Sequence, residues 1–270
     1  GLVYDATKGF PGEGPGTFIA SANVTVWSSG FSALSRDPLR LMDIIAVQEH
    51  RIHPWNIAFH MGNLVKTAFC GYFRPSYVSE QGFTSSGVGF VWKKHVNLRI
   101  VGPIEGLPAQ RYLEAVCDIQ KLGQVSLFSW YGFVSETSRN LESTLFLVKH
   151  AMSRGRPFII IGDHNMRVEY CKKWLSLYTG LVDVVDFGNT CFSHASVSAI
   201  DFAIMSRSLF SQQVAMANEQ SELATHRVIS VKLGFAVGTK VSPTFKTDVK
   251  PDVSNRVGPN YAVQEAQRLS

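Results

Sequence analysis

Residues 158 to 166, FIIIGDHNM, set an apolar and largely β-branched run directly against a glycine, a carboxylate, an imidazole and an amide. A run that is apolar at every position has no solvent face, so it suits a strand covered on both sides. Similar runs recur along the chain: TFIASANVTVW from Thr17, DIIAVQE from Asp43, GVGFVW from Gly87, LRIVG from Leu98, YLEAVCDI from Tyr112, VSLFSWYGF from Val125, AIDFAIM from Ala199 and VISVKLGF from Val228. So many strand signals exclude an all-helical protein.

Helical patterns interrupt them. SRNLESTLFLVKHAMSRG, from Ser138, places Leu141, Leu145, Val148 and Met152 on one helical face, with Gly155 as its stop. EYCKKWLSLYTG, from Glu169, has Trp174, Leu175 and Tyr178 as its apolar side and stops at Gly180; a shorter helix is predicted over SALSRDPLRLM, from Ser32. Several neighbouring strand runs are too close for a crossover helix, so the sheets are at least partly antiparallel. The expectation is an α/β fold of the α+β type: a four-layered α/β sandwich with two packed, mixed, largely antiparallel sheets flanked by helices. One domain is expected over residues 17–235, after a glycine- and proline-rich leader or linker at 1–16 and before a polar, proline-dotted linker or tail at 236–270. No internal repeat is evident.

Composition narrows the partners. Lys and Arg outnumber Asp and Glu by 26 to 21, a net charge of +5 that favours an anionic partner such as a nucleic acid. Clusters at Lys93, Lys94 and His95, at Arg154 and Arg156, and at Lys172 and Lys173 could track its backbone. Cys70, Cys117, Cys171 and Cys191 form no C-x-x-C pair, which argues against a zinc ribbon and a redox motif; free thiols and an intracellular location are expected. No apolar run spans a bilayer and no signal-peptide pattern is present, so no membrane partner is expected; Gly1 in place of Met reads as the start of a fragment or processed piece. His50, His53 and His60 lack H-E-x-x-H spacing, and no G-x-S-x-G elbow occurs.

Polar residues interrupt or end several of the buried runs: Asn23, Glu49, Tyr131, Asp163 with Asn165, Asp201 among apolar neighbours, and His226 just before the last strand. This is the inventory that metal-assisted phosphodiester cleavage needs. One carboxylate holds a hard divalent cation, a second orients or deprotonates water, amides fix phosphate oxygens, and an imidazole held by a further carboxylate stabilises the developing charge. Asp201, flanked by SAI and FAIM, needs a buried partner, for which a histidine is suited.

In order and context these residues resemble the endonuclease/exonuclease/phosphatase superfamily, DNase I-like and abasic-endonuclease-like, and most closely the endonuclease domains of LINE-type non-LTR retrotransposons. VQEHR is similar to the family's LQE motif, SSGVGFVWK to its SGVG strand, IIIGDHN to its GDFN or GDLN, and TCFSHASVSAIDFAI to its T...S...SRIDY segment. The resemblance implies that Glu49 and Asn23 hold Mg²⁺ or Mn²⁺ and that Asp163 activates water. It also implies that Asn165 contacts phosphate or nucleophile, that Asp201 orients His226, and that Tyr131 touches the phosphate. Three departures stand out: Thr225 replaces the aspartate before the final histidine, Ala199 replaces an arginine, and Ser129 replaces an asparagine. Arg51 and Arg227 add cations beside catalytic positions, as candidate substrate contacts, and His164 reads as structural. The implied activity is a DNA endonuclease nicking one strand to leave a 3′-hydroxyl, as in target-primed reverse transcription. A reverse transcriptase domain would then follow at the C-terminus, and the location would be nuclear. The alternatives are a catalytically decayed relic that binds nucleic acid, and a phosphatase or phosphodiesterase for a small phosphorylated molecule.

Overall fold

A computed structural model describes residues 16–119, 122–178, 180–192, 196–210, 213–223 and 225–234, with the backbone alone at 213–215. The expected leader, apart from Gly16, and the expected tail, 236–270, lie outside the described residues. In chain order the elements are β1 (Thr17–Asn23), α1 (Trp27–Ala33), β2 (Ile44–Gln48), α2 (Ile57–Val65), β3 (Phe69–Phe73), β4 (Tyr77–Val78), β5 (Thr84–Ser85), β6 (Val88–Lys93), β7 (Leu98–Ile100) and β8 (Tyr112–Ile119). There follow β9 (Gly123–Tyr131), α3 (Thr137–Ser153), β10 (Phe158–Asp163), α4 (Val168–Leu175), β11 (Val182–Asp186), β12 (Cys191–Phe192), β13 (Val197–Ser198), β14 (Asp201–Ser206), α5 (Arg207–Phe210), β15 (Gln213–Glu219) and β16 (Val228–Leu233).

Among the described residues two six-stranded sheets form, in the orders β15-β16-β1-β2-β6-β3 and β11-β14-β10-β9-β8-β7, beside the hairpins β4–β5 and β12–β13. Each sheet is mixed and mostly antiparallel, with one parallel pair, β1 with β2 and β9 with β10. The period-two alternation of a strand divides β1 and β2 cleanly. Ile19, Ile44 and Ala46 enter the core that includes Leu127, Ile159 and Ile161 of the second sheet, whereas Ala20, Ala22, Ile45 and Val47 pack outward with Trp27, Ala33 and Leu64. Helix α3 buries Leu141, Leu147, Val148 and Ala151. Leu145 and Met152, expected on the same stripe, are only partly buried, because the buried face, with Asn140, Thr144, Leu147 and Ala151, is centred about a fifth of a turn away.

Two local expectations need correction. The first run does not continue as strand to Trp27. The Asn23 carboxamide accepts the Thr25 N–H at 3.0 Å and Thr25 takes φ 58°, closing an Asx-type turn that ends β1. The helix expected from Ser32 instead begins at Trp27 and ends at Ala33, and Pro38 leaves only a 3₁₀ turn, Leu39–Leu41, beyond it.

Candidate active site

The opening run forms β10, buried at every position. Gly162 answers to close packing: a Cβ there would lie 1.9 Å from the Trp130 carbonyl oxygen. Directly paired residues share a face, and Asp163 pairs with Tyr131 on one side and Asp201 on the other. Arg111 extends this row, its carbonyl accepting the Tyr131 N–H at 2.8 Å. In the facing sheet Asn23 lies beside Gln48 at the ends of β1 and β2. Its Nδ2 donates to Asp163 Oδ2 at 2.9 Å, so the two strand-end rows meet across the sandwich.

His226 completes the cluster. Its Nδ1 is 2.9 Å from Asp201 Oδ2, while Nε2 lies 3.5 Å from Asn23 Nδ2 and 3.9 Å from Asp163 Oδ2. Burial alone would favour the neutral ring, but the Asp201 carboxylate, with Cys191 and Asp163 adding to it, raises the pKa to about 11. Burial and the charge of Asp201 push Asp163 up to about 7, against the pull of His226 and the hydrogen bonds from Asn165 and Asn23. A protonated imidazole thus sits between the carboxyl groups of Asp201 and Asp163, the second of which is easily protonated.

Asn165, at φ 48°, donates its N–H to Asp163 Oδ1 at 2.9 Å and its Nδ2 to the Gly132 carbonyl at 3.1 Å. A Cβ on Gly132 would fall 2.1 Å from the His164 carbonyl oxygen, so only glycine allows this approach. Tyr131 is 5% exposed, and burial together with the Glu49 and Asp163 charges raises its pKa. His164 is buried and stacks on Phe202 with ring centroids 3.6 Å apart, turned away from the cluster.

Glu49 is placed by an exception to alternation. Its φ of 56° turns it from the outer face on which Val47 lies, and its charge is felt by Tyr131 and Arg111. Arg51, at φ 52°, forms an ion pair with it. Arg227 instead lies over the Phe192 ring, 4.5 Å from its centroid, and Thr225 is exposed. Asp163, Asp201 and His226 offer ligand atoms within 4.8 Å of one another and could hold a metal ion. Both His226 nitrogens already face partners, however, so the better donors are the carboxylates, and the Arg51 guanidinium on Glu49 marks where a cation is wanted. A hard divalent ion fits this oxygen-rich set.

Several residues escaped the sequence reading. Asn140 on α3 accepts the Phe133 N–H at 2.6 Å and donates to the carbonyls of Phe133 at 2.8 Å and Asn165 at 3.2 Å, clamping the loops beside Tyr131 and Asp163. The visible signal was a polar residue next to Leu141 on an apolar helical face. Arg111 donates to the Gly132 carbonyl at 2.8 Å, and its guanidinium is 4.8 Å from the ring centroid of Tyr131. Conversely, Arg154 and Arg156, which precede β10 at the end opposite Asp163, pair with Glu114 buried within β8, and Lys93 pairs with Asp43 at the far ends of β6 and β2, so those clusters do not line the site. Lys172 is paired with Asp186.

No family model and no curated protein matches the sequence. Solved structures do match its fold. The 3′-5′ exonuclease NExo from Neisseria meningitidis superposes with a TM-score of 0.60 at 13% identity, over 81% of this chain and 100% of that one. The endonuclease domain of TRAS1, a telomere-specific non-LTR retrotransposon, gives 0.59 at 13%, over 82% and 99%. An endonuclease/exonuclease/phosphatase family protein from Leptotrichia buccalis gives 0.59 at 15%, over 81% and 100%. The chain therefore has the endonuclease/exonuclease/phosphatase fold, the fold that its motifs resemble.

Proposed function

We propose that the chain is a divalent-metal-dependent phosphodiesterase acting on DNA, an endonuclease that nicks one strand and leaves a 3′-hydroxyl. The observation that carries this reading is the cluster of two hydrogen-bonded pairs, Asn23 with Asp163 and His226 with Asp201, brought together where the ends of two sheets meet. Solved neighbours of the fold point to the same class of substrate: the 3′ phosphatase NExo is described with a product DNA hairpin, and TDP2 from D. rerio with a single-strand DNA product.

The residues divide the work by their protons. Asp163, with a pKa near neutrality, accepts the proton of the attacking water, since a base works best with a pKa close to the working pH. His226, kept protonated by Asp201, donates from Nε2 to a phosphate oxygen as negative charge grows there. Asn23 fixes the orientation of Asp163, and the Asn165 backbone N–H holds its other oxygen. Tyr131, a phenol neutral at pH 7 and pushed further from ionisation by burial, donates its phenolic hydrogen to the same phosphate. Glu49, with Asn23, would hold Mg²⁺ or Mn²⁺, which when bound neutralises phosphate charge and polarises phosphorus. Arg51, released from Glu49, is then free for the strand.

Supercoiled plasmid with Mg²⁺ tests the reading. Open circles that need the cation and can be extended by a DNA polymerase support it; hydrolysis of a soluble phosphomonoester with plasmid intact supports a small-molecule phosphatase instead. A second reading, a decayed relic, is favoured by the Glu49–Arg51 pair and by exposed Thr225 at the position where the resemblance expects aspartate. A folded chain whose Tm ignores Mg²⁺ supports that reading, and recovery in Thr225→Asp would assign the loss to one side chain.

A further inference from the structure

Among the described residues the four most exposed aromatic side chains are Phe83, Trp55, Phe59 and Tyr77, at 75%, 69%, 65% and 55%. They come from just two stretches of chain, and those stretches meet. The Arg51 N–H donates to the Ser86 carbonyl at 3.1 Å and the His50 N–H to Gly87 at 3.4 Å. From there the Gly87 N–H reaches the Gln110 carbonyl at 3.2 Å, next to Arg111. The two stretches that carry the aromatic groups therefore adjoin the strand ends at Glu49 and Tyr131.

Large exposed rings on two adjoining stretches mark an interaction surface. Their surroundings select the partner. Residues 50–60 carry Arg51, His53 and His60 beside the buried His50 and no carboxylate, and residues 74–87 carry Arg74 against Glu80 alone. The Trp55 indole is already half of a stack: His53 lies against it, with centroids 4.5 Å apart and planes 24° from parallel, which leaves the other indole face open. Flat open rings with the cations Arg51 and Arg74 on the same stretches match a nucleic-acid strand, whose bases offer π-faces and whose backbone offers phosphates. In a duplex those π-faces are covered by neighbouring bases.

We infer that this lip binds unpaired bases of the strand entering the candidate site, by stacking on Trp55 and Phe83, so that the preferred substrate is single-stranded or locally unpaired DNA. The inference rests on the proposed phosphodiesterase reading for its choice of DNA. Phe59 and Tyr77 widen the platform, and Arg51 takes a backbone phosphate.

The test is fluorescence anisotropy of labelled oligothymidine of about 12 nucleotides, against a blunt duplex of equal length, in EDTA so that nothing is cut. Single strand should bind more tightly than duplex. Trp55→Ala and Phe83→Ala should each weaken single-strand binding about tenfold or more, the usual effect of losing one base-stacking ring. Trp55→Phe should keep most of it, and the salt dependence should not change, because stacking releases no counterions. Both side chains are exposed, so the variants should keep the wild-type Tm. Equal affinity for the two DNA forms, or alanine variants that bind like wild type, overturns the inference. Self-association of the wild type that the same variants abolish also overturns it, in favour of a second copy as occupant. Because binding is read without cleavage, stacking that persists in a chain unable to nick plasmid sinks the enzyme reading alone. Nicking that survives with no aromatic dependence sinks the stacking surface alone.

Discussion

His226 Nδ1 lies 2.9 Å from one Asp201 oxygen and 3.1 Å from the other, while its Nε2 faces Asn23 and Asp163. One carboxylate thus both orients the ring and supplies the charge that keeps it protonated. Asp201→Asn retains a hydrogen-bond acceptor and removes the charge. The His226 pKa should then fall from about 11 toward or below the ordinary 6.5, and nicking at neutral pH should drop by about 10²- to 10⁴-fold. A proton NMR titration of the imidazole reads the first effect directly; an unmoved titration contradicts the pairing.

Asp163 gives a prediction of opposite sign for stability and activity. Its carboxyl ionises near 3.8 when unfolded and near 7 when folded, so the unfolded state releases a proton that the native state keeps. Stability is fully present below pH 3.8 and is lost as pH rises through about 7. Asp163→Asn removes that loss. At pH 8 the variant should be more stable than wild type by on the order of 2 kcal/mol, after allowing for a lost hydrogen bond, and inactive. The gain should vanish near pH 4, as Tm measured against pH would show.

Beneath the site a polar bridge crosses the apolar interior. Ser21 Oγ donates to Gln48 Oε1 at 2.9 Å, Gln48 Nε2 to Ser129 Oγ at 3.0 Å, and Ser129 Oγ to the Val47 carbonyl at 3.0 Å. Ser129, a departure from the family pattern, thereby ties β9 to β2, the strand that leads into Glu49. Ser129→Ala leaves a buried donor unmatched and should cost about 1–3 kcal/mol. Urea unfolding checks this, and an unchanged midpoint would show that the bridge carries little weight.

Two buried imidazoles predict acid sensitivity. Burial lowers His50 to about 4 and His164 to about 3. His50 is fixed as a neutral ring, its Nε2 set against the carbonyls of Arg74 and Val88 and its Nδ1 accepting the Ile52 N–H. Their contribution is complete above the unfolded value of 6.5 and is lost as pH falls through that value toward 4 and 3, because only the unfolded chain takes the proton. Between pH 7 and pH 5 each should cost about 2 kcal/mol. His164→Phe, which keeps the stack on Phe202, should remove about half of the combined loss in urea titrations.

The strands of the two sheets that were legible are those with continuous apolar runs, because burial on both faces leaves a compositional mark. The edge strand β3, FCGYF, and the short β11, VDVVD, carry weaker patterns, and α2 has almost no polar face from which to read a period. The candidate site was legible where a polar residue bounded such a run, Asp163 at the end of β10 and Asp201 at the start of β14. Asn140 and Arg111 act through loops brought together only by folding, and a charge cluster such as Arg154 and Arg156 cannot reveal from sequence that a buried Glu114 already occupies it.

The central claim is that Asp163 and His226 act in one metal-dependent cleavage site, and plasmid nicking by wild type, Asp163→Ala and His226→Ala measures it most directly. With Mg²⁺, wild type should convert supercoiled plasmid to open circles, EDTA should stop it, and each variant should be slower by about 10²-fold or more. A folded wild type that leaves plasmid supercoiled, or variants that nick at its rate, would contradict the account.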